Sequence, residues 1–199
     1  DRKEAVKSFG LDTNKKTILI VGGSLGARTL NNCVMNSMKM IKDSGVQFIW
    51  QTGKYYINEA RECFNNAGKP GMIHITDFIS DMNAAYSAAD LVISRAGAGS
   101  ISEFCILGKP VILVPSPNVA EDHQTKNAMA LVNKNAAIYI KDSEAEQKLI
   151  ETAIKVVNEE DRLNSLSENI KKLAFYNSAD IIAEEVCKLA DKYKNENGH

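Results

Sequence analysis

Apolar residues gather along this chain in short, β-branched runs, each closed by glycine, proline or small polar residues. The first, in KTILIVGGSLGARTLN, predicts a buried strand at about 17–21, a tight turn, and a helix from about 26. The phrase returns in VQFIWQTGK at 46–54, GMIHITDFI near 72–76, DLVISRAGAG near 90–94, KPVILVPSP near 110–114 and AAIYI near 136–140. Helix-compatible segments separate nearly all of these runs. Runs this apolar suit strands covered on both faces. Strand and helix alternating at this interval predict an α/β fold. Its core is an open, Rossmann-like, doubly wound parallel sheet of about six strands with right-handed crossovers.

After residue 142 the alternation stops. DSEAEQKLIETAIKVVNE and EDRLNSLSENIKKLAF read as helices. So does SADIIAEEVCKLADKY, where Ile181, Ile182, Val186 and Leu189 fall near helical spacing and Ser178 is a candidate cap. The closing KNENGH reads as frayed. The opening DRKEAVKSFGLD is polar and reads as a linker or a cut edge.

Composition narrows the function classes. The 199 residues, 44% hydrophobic and 25% charged, suit one large globular domain with or without a terminal extension. A net charge of −1 gives no global attraction to nucleic acid or anionic membrane. The pairs Lys15-Lys16 and Lys171-Lys172 read as solvated faces. Cys33, Cys63, Cys105 and Cys187 are far apart, with no CxxC or Cys/His pattern for zinc. Buried free thiols in a reducing cytoplasm are the expectation. No apolar run approaches the roughly 18 residues of a transmembrane helix.

In open parallel sheets ligands bind beyond the carboxyl ends of the strands, where strand order reverses. That singles out the loops 22–26, 95–100 and 115–124. In the first, Gly22 and Gly23 permit a tight turn, Ser24 offers a hydroxyl, and the helix start favours phosphate. A plain strand–helix turn fits the same residues. The loop is neither GxGxxG followed by a ribose-binding acid nor GxxxxGK[ST], which argues against a nicotinamide dinucleotide and a P-loop nucleotide.

In the second loop, Ala96, Gly97, Ala98 and Gly99 expose backbone, and Ser100 stands at a plausible N-cap, with Glu103 three residues on. The spacing fits a capping box, Glu103 reaching back to the Ser100 N–H. It fits equally a nucleotide-sugar site. There the N–H groups at 98–100 take a phosphate and the two oxygens of Glu103 accept from a vicinal ribose diol. In the third loop His123 and Asn127 share a helix face, with Gln124 beside them, a set suited to sugar hydroxyls. A surface histidine is the alternative for His123. His74, inside a predicted strand, is expected to pack, and His199 lies at the frayed end.

Taken together and in order, GGSLGARTLN, QTGK, FISDMNAAYSAADLVISRAGAGSISEFCILGKPVILVP and DHQTKNA closely resemble the carboxyl-terminal half of MurG-type glycosyltransferases. These are the undecaprenyldiphospho-muramoylpentapeptide β-N-acetylglucosaminyltransferases of peptidoglycan synthesis and cell-wall biogenesis. The resemblance implies the carboxyl-terminal, donor-binding domain of a two-domain GT-B fold. It implies UDP-N-acetylglucosamine (UDP-GlcNAc) as donor and lipid-linked MurNAc-pentapeptide (lipid I) as acceptor. The acceptor would bind through an amino-terminal domain whose GGxGGH loop and catalytic base do not occur in this sequence, so no catalytic residue is expected here.

The resemblance also assigns roles. Ser24 would contact the diphosphate, and the Ile79 backbone would pair with uracil. Ala98, Gly99 and Ser100 would face the phosphates, with Ile101 and Ser102 in the same binding segment, and Glu103 would hold the ribose. Gln124 and Asn127 would read GlcNAc hydroxyls with His123 nearby. Many relatives carry a larger residue at the position of Gly99, so only its backbone is expected to bind. No cofactor or metal is implied, and no Asp-x-Asp motif is evident. Residues 1–177 would form the donor domain, and 178–199 a helix and tail crossing to the other half. The complete protein would lie peripherally on the cytoplasmic face of the inner membrane. A GT-B relative acting on another lipid, a UDP-GlcNAc 2-epimerase and a non-catalytic binding module are the rival readings.

Overall fold

The computed structural model describes residues 1–117 and 122–197, with the side chains of 178, 179, 191, 192 and 194–197 outside that description. The chain begins with α1 (Arg2–Ser8), β1 (Thr17–Val21), α2 (Arg28–Asn36) and α3 (Met38–Ser44). Then come β2 (Gln47–Gln51), α4 (Ile57–Asn66), β3 (Ile73–Thr76), α5 (Met82–Ala88), β4 (Leu91–Ser94) and α6 (Ala98–Leu107). The rest is β5 (Val111–Leu113), α7 (His123–Val132), β6 (Ile138–Tyr139), α8 (Asp142–Val157), α9 (Glu160–Lys171) and α10 (Ser178–Asn197).

The six strands form one parallel sheet in the order β3-β2-β1-β4-β5-β6. This is the doubly wound order, and its reversal point lies between β1 and β4. The alternation within each strand sorts side chains to two cores. Ile18, Ile20, Phe48, Trp50, Leu91, Ile93 and Ile112 pack under α2, α3 and α8. Leu19, Ile49, Val92, Val111 and Leu113 pack under α1, α5, α6 and α7. Each of these twelve side chains is at most 1% exposed, so substitution to alanine is a cavity-forming change costing about 2–5 kcal/mol.

The opening residues depart from the linker expectation. Asp1 caps α1 by accepting from the Lys3 N–H at 2.9 Å, and Ala5 and Val6 are buried in the second core. Arg2 pairs with Asp90 at 2.8 Å, tying α1 to the base of β4. A single helical turn of apolar residues in a polar stretch is too short a periodic signal to be read without its partner, α5. At the other end α10 continues into the KNEN that sequence reads as frayed. Ile181, Ile182, Val186 and Leu189 on it are all more than half exposed. The cap expected of Ser178 and the position of His199 lie outside the described residues. His74 packs as expected: its Nδ1 is 3.1 Å from the Phe9 carbonyl and its ring stands edge-on to Phe9.

Candidate functional site

At the reversal point α2 leaves β1 toward one face of the sheet and α6 leaves β4 toward the other. The divergence opens a cavity of about 650 Å³ at the carboxyl ends of β1, β4 and β5. Gly22, Gly26, Thr29, Arg95, Gln124 and Asp142 are among the residues that line it. All three loops singled out in the sequence reach this end of the sheet.

The β1–α2 loop is held by close backbone contact. Gly26 has φ +85°, and a Cβ there would lie 2.2 Å from the Thr52 carbonyl oxygen. Gly53, φ +79°, would bring a Cβ within 2.1 Å of the Gly26 nitrogen. The two glycines therefore interlock the GGSLGA and QTGK loops at a distance no side chain allows. A buried relay supports the same junction: Trp50 Nε1 donates to Asn31 Oδ1, and Asn31 Nδ2 donates to the Thr52 carbonyl, both at 2.9 Å. Ser24 stands exposed at the tip of this loop.

The β4–α6 loop is open. Gly97, not Ser100, is the N-cap of α6, and no side chain among the described residues caps the helix. The first intrahelical bond runs from the Ile101 N–H to the Gly97 carbonyl at 3.0 Å. The N–H groups of Ala98, Gly99 and Ser100 therefore have no partner among the described residues. A Cβ added at Gly97 or Gly99 would meet nothing within 4 Å. The capping-box reading fails because the helix starts two residues before Ser100. Glu103 does not turn back to the Ser100 N–H; its Oε2 accepts from the Tyr86 hydroxyl at 2.8 Å. Burial pushes the Tyr86 phenol well above its ordinary pKa, and the bond to Glu103 adds to the shift.

Helix α7 reaches across to brace this loop. Gln124 Oε1 accepts from the Ala96 N–H at 3.2 Å and the Ser116 N–H at 2.9 Å. Asn127 Nδ2 donates to the Ala96 carbonyl at 3.1 Å. The two amides expected to read sugar hydroxyls thus first of all fix the backbone before Gly97. His123, expected beside them, opens α7 and is exposed. Asn118 to Glu121, within the third loop, lie outside the described residues. Ile79 is 5% exposed, between β3 and α5, and its backbone makes no hydrogen bond among the described residues. Ile101 and Ser102 turn their side chains to a different place, an apolar groove shared with Cys105, Leu131, Leu173 and Phe175.

Sequence reasoning passed over a charged cluster on the cavity wall. Arg95 Nη1 donates to the Val114 carbonyl at 2.9 Å, to the Pro115 carbonyl at 3.3 Å and to Asp142 Oδ1. The other Asp142 oxygen accepts from Thr29 Oγ1 at 3.0 Å. Arg95 stood in view in SRAGAG, but Asp142 lies 47 residues away and Thr29 66 residues before Arg95, with no local pattern to connect them. The cluster joins α2, β4 and α8 around the cavity. Among the described residues no three His, Cys, Asp or Glu side chains gather as metal ligands, and no helix is long and apolar enough to cross a membrane.

Comparison with known proteins identifies the family and the fold. Residues 17–182 match the model of the glycosyltransferase family 28 C-terminal domain. A UDP-N-acetylglucosamine--N-acetylmuramyl-(pentapeptide) pyrophosphoryl-undecaprenol N-acetylglucosamine transferase from Phocaeicola vulgatus is 71% identical over 99% of this chain. The transferase of the same name from Bacteroides thetaiotaomicron is 62% identical over 96% of it. The chain spans about half the length of these curated relatives, 52% of each. Among solved structures, Acinetobacter baumannii MurG superposes with a TM-score of 0.77 at 29% identity, over 92% of this chain and 53% of that one. A UDP-GlcNAc 2-epimerase from Neisseria meningitidis shares the fold at a TM-score of 0.67 and 16% identity, over 94% of this chain and 49% of its own.

Proposed function

Because this chain belongs to the family of glycosyltransferase family 28 C-terminal domains, we propose that it is the donor-binding half of an inverting GlcNAc transferase of peptidoglycan synthesis. The donor is UDP-GlcNAc. Its diphosphate lies at the mouth of α6, on the N–H groups of Ala98, Gly99 and Ser100, with the Ser24 hydroxyl and the unengaged edge of Arg95 alongside. Glu103 takes the ribose diol, and the free backbone groups of Ile79 pair with uracil. The Gln124 Nε2 and Asn127 Oδ1 atoms, not used in bracing the loop, are left for GlcNAc hydroxyls near His123. In the complete enzyme the C4 hydroxyl of lipid I attacks C1 of GlcNAc and UDP departs. The helix dipole and Arg95 stabilise the departing charge without a metal or cofactor.

The acceptor site and the base belong to the half of the protein that the relatives possess beyond this chain. The exposed stripe of α10 faces that half, and the whole protein works from the cytoplasmic face of the membrane. The chain by itself binds donor and transfers nothing, because it cannot position the acceptor.

The observation that carries this reading is the juxtaposition, at the reversal point, of three N–H groups unpartnered among the described residues with a carboxylate on the same helix. Titration calorimetry with UDP tests it. Wild type is expected to bind, and Glu103→Ala to bind about tenfold or more weakly, as befits loss of charge-assisted hydrogen bonds. Equal affinities would remove Glu103 from the ribose site.

A further inference from the structure

We infer that Tyr86 is a positioning residue for Glu103, holding one carboxylate oxygen so that the group meets a ribose diol in a single orientation. The inference rests on the nucleotide-sugar reading above. Tyr86 sits on α5, is 6% exposed, and donates its hydroxyl to Glu103 at 2.8 Å. Its ring stands perpendicular to that of Phe104, centroids 5.8 Å apart. Phe104 is fully buried and is the neighbour of Glu103 on α6. One rigid side chain therefore clasps two consecutive residues of α6: its ring packs on the anchor in the core, and its hydroxyl holds the ligand-binding group.

The direction of the hydrogen bond is determined. An ionised carboxylate only accepts, so the phenol donates. A phenol is already protonated near neutral pH and burial moves its pKa further up, so the donor persists there. Glu103 itself is an exposed side chain on three rotatable bonds. Untethered, it would exchange rotamers, and binding would have to order it. With Oε2 anchored, Oε1 has no partner among the described residues and is available to one ribose hydroxyl, while the second lone pair of Oε2 is available to the other. Tyr86 thereby sharpens selection of ribonucleotide donors over those lacking the diol.

Calorimetry with UDP and with 2′,3′-dideoxyuridine 5′-diphosphate tests this on wild type and Tyr86→Phe, a change that keeps the ring and every formal charge. Wild type is expected to prefer UDP by about tenfold. Tyr86→Phe is expected to lose about three- to fivefold in UDP affinity and to leave the dideoxy ligand within about 1.5-fold. A thermal melt of both proteins confirms that the fold is kept. Equal losses for both ligands would make Tyr86 a packing residue only, and no loss for either would overturn the inference directly. Wild type that fails to distinguish the two ligands would instead sink the ribose reading itself, before any variant is compared.

Discussion

Gly26 stands two residues before α2, and Gly97 is the residue before α6. Both lie in loops of small residues at the carboxyl ends of adjacent strands. Their surroundings are opposite. Gly26 is left-handed and wedged against the Thr52 carbonyl; Gly97 has φ −68° and empty space where a side chain would be. The first loop uses glycine to let protein backbone approach protein backbone. The second uses it to leave room, and that room is bordered by N–H groups with no partner among the described residues. A glycine-rich loop thus carries two meanings that its letters do not separate.

The distinction extends along the sheet. Among the described residues, the helices after β1 and β4 have neither a side-chain cap nor an acidic residue at the cap or in the first turn. The helix after β3 is capped by Asp81, which accepts from the Ala84 N–H at 2.9 Å. The helix after β6 begins with Asp142 and carries Glu144 in its first turn. Helix N-termini are ordinarily satisfied by such groups. Here the omission is found in the two loops that flank the reversal of strand order, where an anionic ligand would supply the missing acceptors.

The largest effect that separates the two loops is expected from Gly26→Ala. Its Cβ would need both a left-handed backbone and displacement of the Thr52 carbonyl, so a loss of about 3 kcal/mol or more is expected. Urea unfolding measures it. A loss under about 0.5 kcal/mol would show that the interlocked loops yield easily, and the contrast with Gly97 would collapse.

Gly97→Asp is expected to act on binding and hardly on folding. The carboxylate would become an N-cap, accepting from the first-turn N–H groups and adding a few tenths of a kcal/mol to stability. The same N–H groups would then be occupied and the local charge reversed. UDP affinity is expected to fall by about tenfold or more, while uridine, which carries no phosphate, changes little. A variant that melts higher yet still binds UDP normally would place the diphosphate elsewhere.

How much of this is legible in the sequence depends on how local each feature is. The strands are, because a doubly buried strand is a contiguous apolar run, and all six lie within the phrases that announce them. The reversal point and its three loops follow from the order of elements. The start of α6 is not legible: in a run of Ala, Gly and Ser every residue tolerates the first turn, and the N-cap is settled by how Gln124 and Asn127 hold Ala96 from another helix. The same holds for Tyr86 and Asp142, whose partners Glu103 and Arg95 lie 17 and 47 residues away. Sequence names the carboxylate that would bind; only the packing of α5 on α6 shows what aims it.

The smallest expected effect asks whether the room in the second loop is used by backbone or by ligand bulk at one further position. Gly99 lies in the first turn of α6, without a left-handed φ, and a Cβ attached there would have nothing within 4 Å. Alanine there should suit the helix better than glycine, raising stability by about 0.5–1 kcal/mol. Alanine keeps the N–H group, so if the phosphate is held by backbone donors alone, UDP affinity should stay within about twofold. Paired unfolding and calorimetry on Gly99→Ala read both quantities. A stabilised protein with much weakened UDP binding would mean that the diphosphate presses on the Cα of residue 99, and the open space at this helix mouth would then be a close-fitting wall of the site.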